Sequence, residues 1–281
     1  MNHQNFPWLQ TVSNTTPLFF ILGPCSMESE THTLKMAEFL KKLSEKLKFN
    51  LIFKSSFDKA NRISGTSYRS VGLDEGLRIL ARVRAEFNVP VTTDVHETYQ
   101  VAPTAAVVDV IQIPAMLCRQ TDLLVAAGKS GKIVNIKKGQ FFAPENMRGA
   151  IEKVTSTGNE HAWVCERGFS FGYNNLIVDY RNFAIMKRFG KPCVLDATHA
   201  VQRPGGIGGA ATGGDREFVA NLAASAVVQG ISGLFMEVYD EPEKALSDGA
   251  NMIRLSQLES LVSYLIDLDA WSKARPVPEV S

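Results

Sequence analysis

The sequence has few cysteines, no long apolar run and almost no net charge. Only 4 of 281 residues are cysteine, and they lie far apart without a CxxC pair, which argues against a disulfide framework. No apolar run reaches the roughly 18 residues that a membrane-spanning helix needs. The 30 basic and 29 acidic residues leave a net charge of +1, so the composition favours neither nucleic acid nor an anionic membrane as a partner.

Two further features are missing from the chain. The first residues, MNHQNFPWLQTVSN, contain no basic segment followed by an apolar one, so we expect no secretory signal and a cytoplasmic protein. No Gly-x-Gly-x-x-Gly follows the first apolar segment, which argues against a Rossmann sheet. Because no linker or change in composition divides the chain, we predict a single domain over residues 1–281, with its core at about 18–270.

Short segments rich in Val, Ile or Phe alternate along the chain with longer amphipathic stretches. This alternation predicts parallel βαβ units, and eight such units favour an α/β fold that closes into a single (β/α)8 TIM barrel. The predicted strands are 18–25, 51–57, 90–96, 110–115, 133–138, 161–168, 193–199 and 233–239, and the predicted helices are 31–48, 73–87, 119–129, 145–156, 216–229 and 252–270.

Every predicted strand ends in polar or ionisable residues. In TIM barrels the chemistry lies at the C-terminal ends of the strands, and side chains alternate between the two faces of each strand. We therefore predict one converging polar pocket, in which Asp94 and His96 share a face, as do Asn135 and Lys137. The strand-end residues are Cys25, Lys54, Asp94, His96, Gln112, Asn135, Lys137, Lys138, Glu166, Arg167, Asp196, His199 and Glu237.

One subset of these residues has the chemistry of metal ligands. Cys25, His199 and Glu237 offer a thiolate, an imidazole and a carboxylate, and Asp248 can add a second carboxylate. Such a mixed set suits a divalent metal, namely Zn²⁺, Fe²⁺ or Mn²⁺. The spacing matches no local zinc motif, so a core thiol, a hydrogen-bonded histidine and ordinary salt bridges remain alternative explanations.

A second subset is cationic. Converging positive charges repel one another, so anionic ligands such as phosphate and carboxylate groups explain them best, and their number favours two anions. The alternative is that each cation is a solvated surface charge. These residues are Lys54, Lys59, Arg62, Arg119, Lys137, Lys138 and Arg167.

Several of the same side chains can transfer protons. Asp94, His96, Asp196 and Glu166 are candidates for general acids or bases, or for carboxylates that orient a histidine or arginine. A Schiff base on Lys54 or Lys137 is a rival mechanism.

The segment 200–214, AVQRPGGIGGAATGG, is rich in glycine. A long irregular segment that leaves the catalytic face of a barrel is typical of a mobile lid. We therefore predict an irregular lid over the pocket, and a tolerated surface loop is the alternative.

Long motifs resemble the 3-deoxy-D-manno-octulosonate 8-phosphate synthase family over about residues 18–265. They are GPCSMESE, FKSSFDKANR, TDVHE, VIQIPAMLCRQTDLLVAAGKSGKIVNIKKGQF, CERGFSFGYNNLIVD, DATHAVQ, LFME and EPEKALSD. The resemblance implies condensation of phosphoenolpyruvate with D-arabinose 5-phosphate, release of inorganic phosphate, and a role in the biosynthesis of the Kdo sugar of lipopolysaccharide. It also implies a homotetramer and no Schiff base.

The resemblance assigns roles by motif. Arg119 would reach the site from a neighbouring subunit, and a cysteine rather than an asparagine at position 25 implies the metal-dependent branch of the family. The implied metal ligands are Cys25, His199, Glu237 and Asp248. The implied substrate-binding residues are Lys54, Ser56, Lys59, Arg62, Gln112, Arg119, Lys137 and Arg167, and the implied catalytic residues are Lys59, Asn61, Asp94, His96, Lys137, Asp196 and His199.

The chain also departs from the family pattern. Ile63 stands where the family often has a serine whose hydroxyl donates to the sugar phosphate. An alternative function is therefore the same condensation with a different aldehyde, as in the related deoxy-heptulosonate phosphate and sialic acid synthases. Tyr239 stands where a histidine usually follows the metal-binding glutamate, and this change is expected to alter the surroundings of the metal. A catalytically silent barrel that binds a sugar phosphate is a third hypothesis.

Overall fold

A closed barrel of eight parallel strands forms the centre of the computed structural model, which describes residues 6–60, 65–66, 68–207 and 211–278. Each strand pairs with the next, and the last pairs with the first, from Phe19↔Gly233 to Gly23↔Glu237. The predicted single (β/α)8 TIM barrel is therefore confirmed. The strands are β1 (Phe19–Gly23), β2 (Asn50–Lys54), β3 (Val91–Asp94), β4 (Val110–Ile113), β5 (Ile133–Lys137), β6 (Ala162–Glu166), β7 (Cys193–Asp196) and β8 (Gly233–Tyr239).

Helices surround this barrel. The longest predicted helices are present with ends shifted by a few residues, and none of the helices in the described ranges is both long and apolar enough to cross a membrane. The helices are α1 (Glu30–Leu47), α2 (Leu73–Phe87), α3 (Thr98–Val107), α4 (Thr121–Lys129), α5 (Met147–Thr155), α6 (Arg181–Lys187), α7 (Ala197–Ala200), α8 (Val219–Val227) and α9 (Leu255–Lys273).

Helices α3, α6 and α7 were missing from the prediction, and α7 occupies the end of the predicted strand 193–199, because that strand stops at Asp196. Helix α3 contains Pro103 and has no clear amphipathic stripe, yet it starts with a capping box in which Glu97 and Gln100 exchange side-chain-to-backbone hydrogen bonds. Such a box satisfies two of the free backbone N–H groups of the first turn. Helix α6 has only 7 residues, which is too short for a 3.6-residue period to stand out.

Side chains alternate between the two faces of the barrel wall, as the period of a strand requires. In β1, Phe20 and Leu22 point outward into the main core shared with the helices, whereas Phe19 and Ile21 point inward. The inner cluster also contains Leu9, from a 3₁₀ helix at Pro7–Gln10. Because its members lie mainly at the starts of the strands, this cluster fills the N-terminal half of the barrel and leaves the C-terminal half for polar side chains.

The segment predicted to be an irregular lid has regular structure. After α7, Gln202–Ile207 pairs in antiparallel fashion with Ala211–Gly214, and the pairing starts at Gln202↔Gly214. The expectation of an irregular segment is therefore wrong, because backbone pairing satisfies the polar groups that a loop would leave to water. Residues 208–210 lie outside the described residues, and the proposed lid motion stays a prediction.

Gly23 offers a test of how closely β1 and β2 approach. A Cβ atom at this position would overlap the carbonyl group of Lys54. We expect Gly23→Ala to lower the free energy of unfolding by about 1–3 kcal/mol, because the clash is with backbone and pushes the two strands apart. The midpoint of urea unfolding measures this change.

Gly149→Ala is the matched control, since Gly149 lies in α5 and an added Cβ has no heavy atom within 4 Å. We expect this variant to keep or raise stability by up to about 1 kcal/mol, because alanine is the better helix former. Equal midpoints for the two variants would contradict the close approach of β1 and β2.

Candidate active site

A cavity of about 480 Å³ opens at the C-terminal end of the barrel. Most of the predicted site residues line it, and several residues outside the prediction line it as well. Asn61, Arg62 and Ile63 lie outside the described residues. The lining residues are Lys54, Lys59, Asp94, His96, Gln112, Pro114, Ala115, Met116, Lys137, Gln140, Arg167, His199, Gln202, Pro204 and Asp248.

The inward face of the strands explains why these side chains converge. Phe235 follows the inner face of β8 and belongs to the inner cluster, and Glu237 is the next inward residue of the same strand. The ring of Phe235 lies beneath the cavity, with the Nζ atoms of Lys137 and Lys54 at 3.7 and 5.4 Å from its centroid. Contact with an aromatic face favours a cation. Phe235 was not predicted as a site residue. It stands two residues before Glu237, so the alternation of side chains along a strand could have identified it.

Three of the four predicted metal ligands form one cluster. Ligand atoms of Cys25, Glu237 and Asp248 all lie within 4.8 Å of one another. His199 stands outside this group but adjoins it, with Nε2 3.6 Å from Glu237 Oε2. Tetrahedral bonds of about 2.0–2.3 Å place ligand atoms about 3.3–3.8 Å apart, so side-chain movements of about 1 Å suffice to enclose an ion.

The donor atoms of this cluster fit a metal. Glu237 is fully buried, and its Oε2 has no hydrogen-bond partner among the described residues. A buried acceptor without a partner is costly, and a cation would satisfy it. The donor set of thiol, imidazole and two carboxylates matches the preferences of zinc, iron and manganese.

The Cys25 thiol is held by the loop that follows β8. Its Sγ lies 2.9 Å from Ser247 Oγ and donates to Asp248 Oδ2 at 3.1 Å. Burial, and then the charges of Glu237 and Asp248, raise the pKa of this thiol well above its usual range. The thiol form is therefore favoured when no cation is present, and a metal would have to displace the proton.

Asp196 connects His199, a predicted metal ligand, to the cationic wall of the cavity, which consists of Lys54, Lys59, Lys137 and Arg167. Its Oδ2 accepts from His199 Nδ1 at 2.7 Å and from Lys137 Nζ. Burial would raise the pKa of Asp196, but His199 and Lys137 hold it well below its usual range. Asp196 is fully buried and does not line the cavity, so the geometry gives it an orienting role rather than contact with a substrate.

A second chain of contacts runs through Lys59, Ser56, Asp94 and His96. Lys59 Nζ donates to Ser56 Oγ at 2.8 Å, Ser56 donates to Asp94, and His96 Nε2 lies 3.0 Å from Asp94 Oδ2. Burial acts to lower the pKa of Lys59, but the nearby carboxylates of Asp94, Glu237 and Asp248 raise it above its usual range. Ser56 was predicted to bind substrate. Its hydroxyl is buried, accepts from Lys59 and donates to Asp94.

Arg167 provides the clearest binding group for an anion. Its Nη2 donates to Gln202 Oε1 at 2.8 Å, whereas its Nη1 is buried without a partner in the part of the chain that the structure describes. Burial lowers the pKa of Arg167, but a guanidinium remains charged at neutral pH. Gln202 also reaches Asp248 Oδ1, at 3.4 Å. Gln202 and Gln140 were missed because they stand in connecting segments that carry no periodic signal.

Glu166 and Lys138 do not join the pocket. The pleat of β6 turns Glu166 outward, where it accepts from Asn182 of α6 at 2.7 Å and lies 3.3 Å from Lys138 Nζ. Neither side chain lines the cavity, so direct contact of these two residues with a ligand there is not supported. The alternative that Glu166 orients an arginine agrees with its contact to the backbone N–H of Arg167, at 2.9 Å. Asn135 is buried next to Gln112, with a long contact of 3.5 Å between their side-chain amides.

Arg119 does not reach the cavity from its own chain. It is exposed, and its guanidinium lies 5.9 Å from the ring centroid of Phe142. Its predicted role from a neighbouring subunit stays a prediction.

Comparison with known proteins identifies the family. The model of the DAHP synthetase I family matches residues 10–273. A 2-dehydro-3-deoxyphosphooctonate aldolase of Dichelobacter nodosus is 55% identical over 262 residues, which cover 93% of this chain and 94% of that protein. Proteins of the same name from Syntrophotalea carbinolica and Bartonella quintana are 52% and 49% identical, over 92% and 93% of this chain and 94% of each relative. The chain therefore belongs to the DAHP synthetase I family and, within it, to the 2-dehydro-3-deoxyphosphooctonate aldolases.

Proposed function

We propose that this enzyme condenses phosphoenolpyruvate with D-arabinose 5-phosphate to give 3-deoxy-D-manno-octulosonate 8-phosphate and inorganic phosphate, in Kdo biosynthesis. The proposal rests on one observation: the cationic wall and a metal-ligand cluster meet at one cavity, which Asp248 of the cluster and the adjoining His199 line. The chain also shares about half of its residues with aldolases of that name. In this reaction C3 of phosphoenolpyruvate bonds to the aldehyde carbon. Water adds at C2, and the bond from C2 to the phosphate oxygen breaks.

Phosphoenolpyruvate carries a carboxylate and a phosphate, and the cationic wall suits both. Arg167 offers its unpartnered Nη1, and Lys137 adds an ammonium group that Asp196 and Phe235 hold in place. Gln112 supplies a neutral amide on the same wall. Because charge-assisted hydrogen bonds are the strong ones, these groups fix the enol for attack.

The aldehyde needs a group that stabilises negative charge on its oxygen. Lys59 serves as that group, because neighbouring negative charges favour its protonated form and its Nζ lies on the cavity. The Asp94–His96 pair lies on the same side and binds sugar hydroxyls. The phosphate of the pentose is assigned by the family resemblance to Asn61 and Arg62.

A divalent metal held by Cys25, His199, Glu237 and Asp248 completes the site. When bound, it would act as a Lewis acid toward the aldehyde or toward water. Asp196 fixes the tautomer of His199 through Nδ1, so that Nε2 is presented to the metal. The unpartnered Glu237 Oε2 supports this assignment.

Self-association as a homotetramer and a location in the cytoplasm are further parts of the proposal. Phe141, Phe169 and Phe171 are exposed on the segment and hairpin next to the cavity residue Gln140. Exposed aromatic side chains that lie together are typical of an interface. A neighbouring subunit at this surface would bring Arg119 to the site.

The choice of aldehyde can be tested directly. Purified enzyme is given phosphoenolpyruvate with D-arabinose 5-phosphate, D-erythrose 4-phosphate or an unphosphorylated sugar, and phosphate release is measured. We expect kcat/KM to be highest for arabinose 5-phosphate. A higher value for erythrose 4-phosphate would favour the alternative that Ile63 raised.

Removal of the metal is the second test. We expect chelation to abolish phosphate release and Zn²⁺, Fe²⁺ or Mn²⁺ to restore it, because Lys54 engages only one oxygen of Glu237 and leaves the buried Oε2 without a hydrogen-bond partner among the described residues. Cys25→Ala should lose bound metal in elemental analysis. Cys193→Ala is the control, since Cys193 is equally buried but begins β7, at the opposite end of the strands. Full activity of metal-stripped enzyme would refute the proposal that the reaction depends on a bound metal.

Arg167→Lys tests the anion site, because lysine keeps the charge but loses the fork of donors. We expect kcat/KM for phosphoenolpyruvate to fall about 10- to 100-fold, the loss that one charge-assisted hydrogen bond produces. Arg148→Lys, on α5 outside the cavity lining, should leave the constant unchanged. An unchanged constant for Arg167→Lys would exclude Arg167 from substrate binding.

A further inference from the structure

Glu28 links the segment after β1 to the loop after β8. Its Oε2 accepts from the Tyr239 hydroxyl at 2.7 Å, and its Oε1 accepts from the backbone N–H of Leu246 at 2.8 Å. Glu28 follows Cys25 in the chain, and Leu246 precedes Asp248. One carboxylate therefore ties together the two segments that carry the thiol and the loop-borne carboxylate of the metal-ligand cluster.

The ring of Tyr239 packs in the interior between the same two segments. Tyr239 is only 6% exposed and packs with Cys25 and Met252 in a small buried cluster. The ring of His32 lies against it, with the centroids 4.5 Å apart. The hydroxyl and the ring thus have separate contacts: the hydroxyl binds Glu28, and the ring supports Cys25.

A second group anchors the start of the same loop. Asp240 lies 3.2 Å from His32 Nε2 and accepts from Lys35 Nζ at 2.7 Å, both residues of α1. The loop is therefore fixed at its start by α1, and Glu28 fixes it near Asp248. Of these two attachments, only the contact of Glu28 with Leu246 bears directly on the position of the Asp248 carboxylate.

We propose that Tyr239 and Glu28 are positioning residues that hold the Asp248 loop against Cys25 and so set the affinity of the metal site. The proposal rests on the proposed function for the metal itself, and goes beyond it by assigning residues that are not ligands. Outer groups that orient ligands typically change metal affinity about 10- to 100-fold when they are removed. Tyr239 thereby has a role here although it differs from the histidine that the family resemblance leads one to expect.

Tyr239→Phe tests the hydroxyl and keeps the ring. We expect it to weaken Mn²⁺ or Zn²⁺ binding about 10- to 100-fold in a competition titration with a chromophoric chelator. Excess metal should restore most of the phosphate release. Glu28→Gln should act in the same direction, and the double variant should lose little more than either single variant, because both changes break one linkage.

Tyr180→Phe is the matched control. Its hydroxyl donates to the Leu222 carbonyl at 2.9 Å, so the variant also loses one hydrogen bond, but at a place between helices. A merely structural role for Tyr239 would make the two variants alike, with lowered melting temperatures and unchanged metal affinity. That result would overturn the proposal.

Measurements on metal-free enzyme separate this proposal from the metal assignment. Loss of the linkage should speed hydrogen exchange at the Leu246 amide and labelling of the Cys25 thiol in Tyr239→Phe and Glu28→Gln, but not in Tyr180→Phe. If wild-type enzyme binds no metal, the metal assignment fails, whereas exchange and labelling still decide whether Glu28 holds the loop. Exchange at Leu246 that is the same in all variants would refute the linkage.

Discussion

A buried ion pair between Lys54 and Glu237 fixes the geometry on which the rest of the site depends. Lys54 Nζ lies 2.8 Å from Glu237 Oε1 and also donates to the Cys25 carbonyl at 2.7 Å, and both side chains are almost fully buried. Each charge would be costly to bury alone, and removal of either partner leaves the other uncompensated. The pair therefore commits one oxygen of Glu237 to the protein and leaves Oε2 for a cation.

This commitment changes the role expected of Lys54. The sequence resemblance assigned it to phosphoenolpyruvate, and it does line the cavity. Its ammonium group, however, already has two protein partners at short distance. In the same way, the Lys137 ammonium group donates to Asp196, and Lys59 is linked to Asp94 by the hydroxyl of Ser56. The cations are thus oriented by internal carboxylates before any anion binds, as expected of a preorganised site.

The period of two along the strands made most of the site predictable. Phe19 and Ile21 face inward while Phe20 and Leu22 face outward, and the same alternation places the polar strand ends in one cavity. The rule gives the correct face only if the phase of each strand is known. At the end of β6, Glu166 points outward, and Arg167, the next residue after the strand, lines the cavity. A list of polar strand ends could not distinguish the two.

Connecting segments carried far less information. The glycines of 200–214 suggested a structureless lid. Glycine is also compatible with paired backbone, and no pattern in the sequence distinguishes an irregular loop from a hairpin here. Helix α3 was missed because its cap, not its amphipathicity, marks its start. Gln202 is a third case: its contacts with Arg167 and Asp248 join residues far apart in the chain, and only the closed barrel brings them together.

Two of the proposed metal ligands, Glu237 and Asp248, are held in place in different ways. Glu237 belongs to a strand, so the hydrogen bonds of β8 with its neighbours fix its backbone. Asp248 belongs to a loop and adopts a left-handed conformation with φ of 51°, which most residues with a side chain avoid and which aspartate tolerates better than most. A carboxylate held in that conformation needs contacts that exclude its alternatives. Arg216, which donates to the Gly249 carbonyl at 2.5 Å, and Glu28, through Leu246, supply them from both sides. The positions of the proposed metal ligands therefore depend on side chains outside the ligand set, and a barrel scaffold alone would place only part of that set.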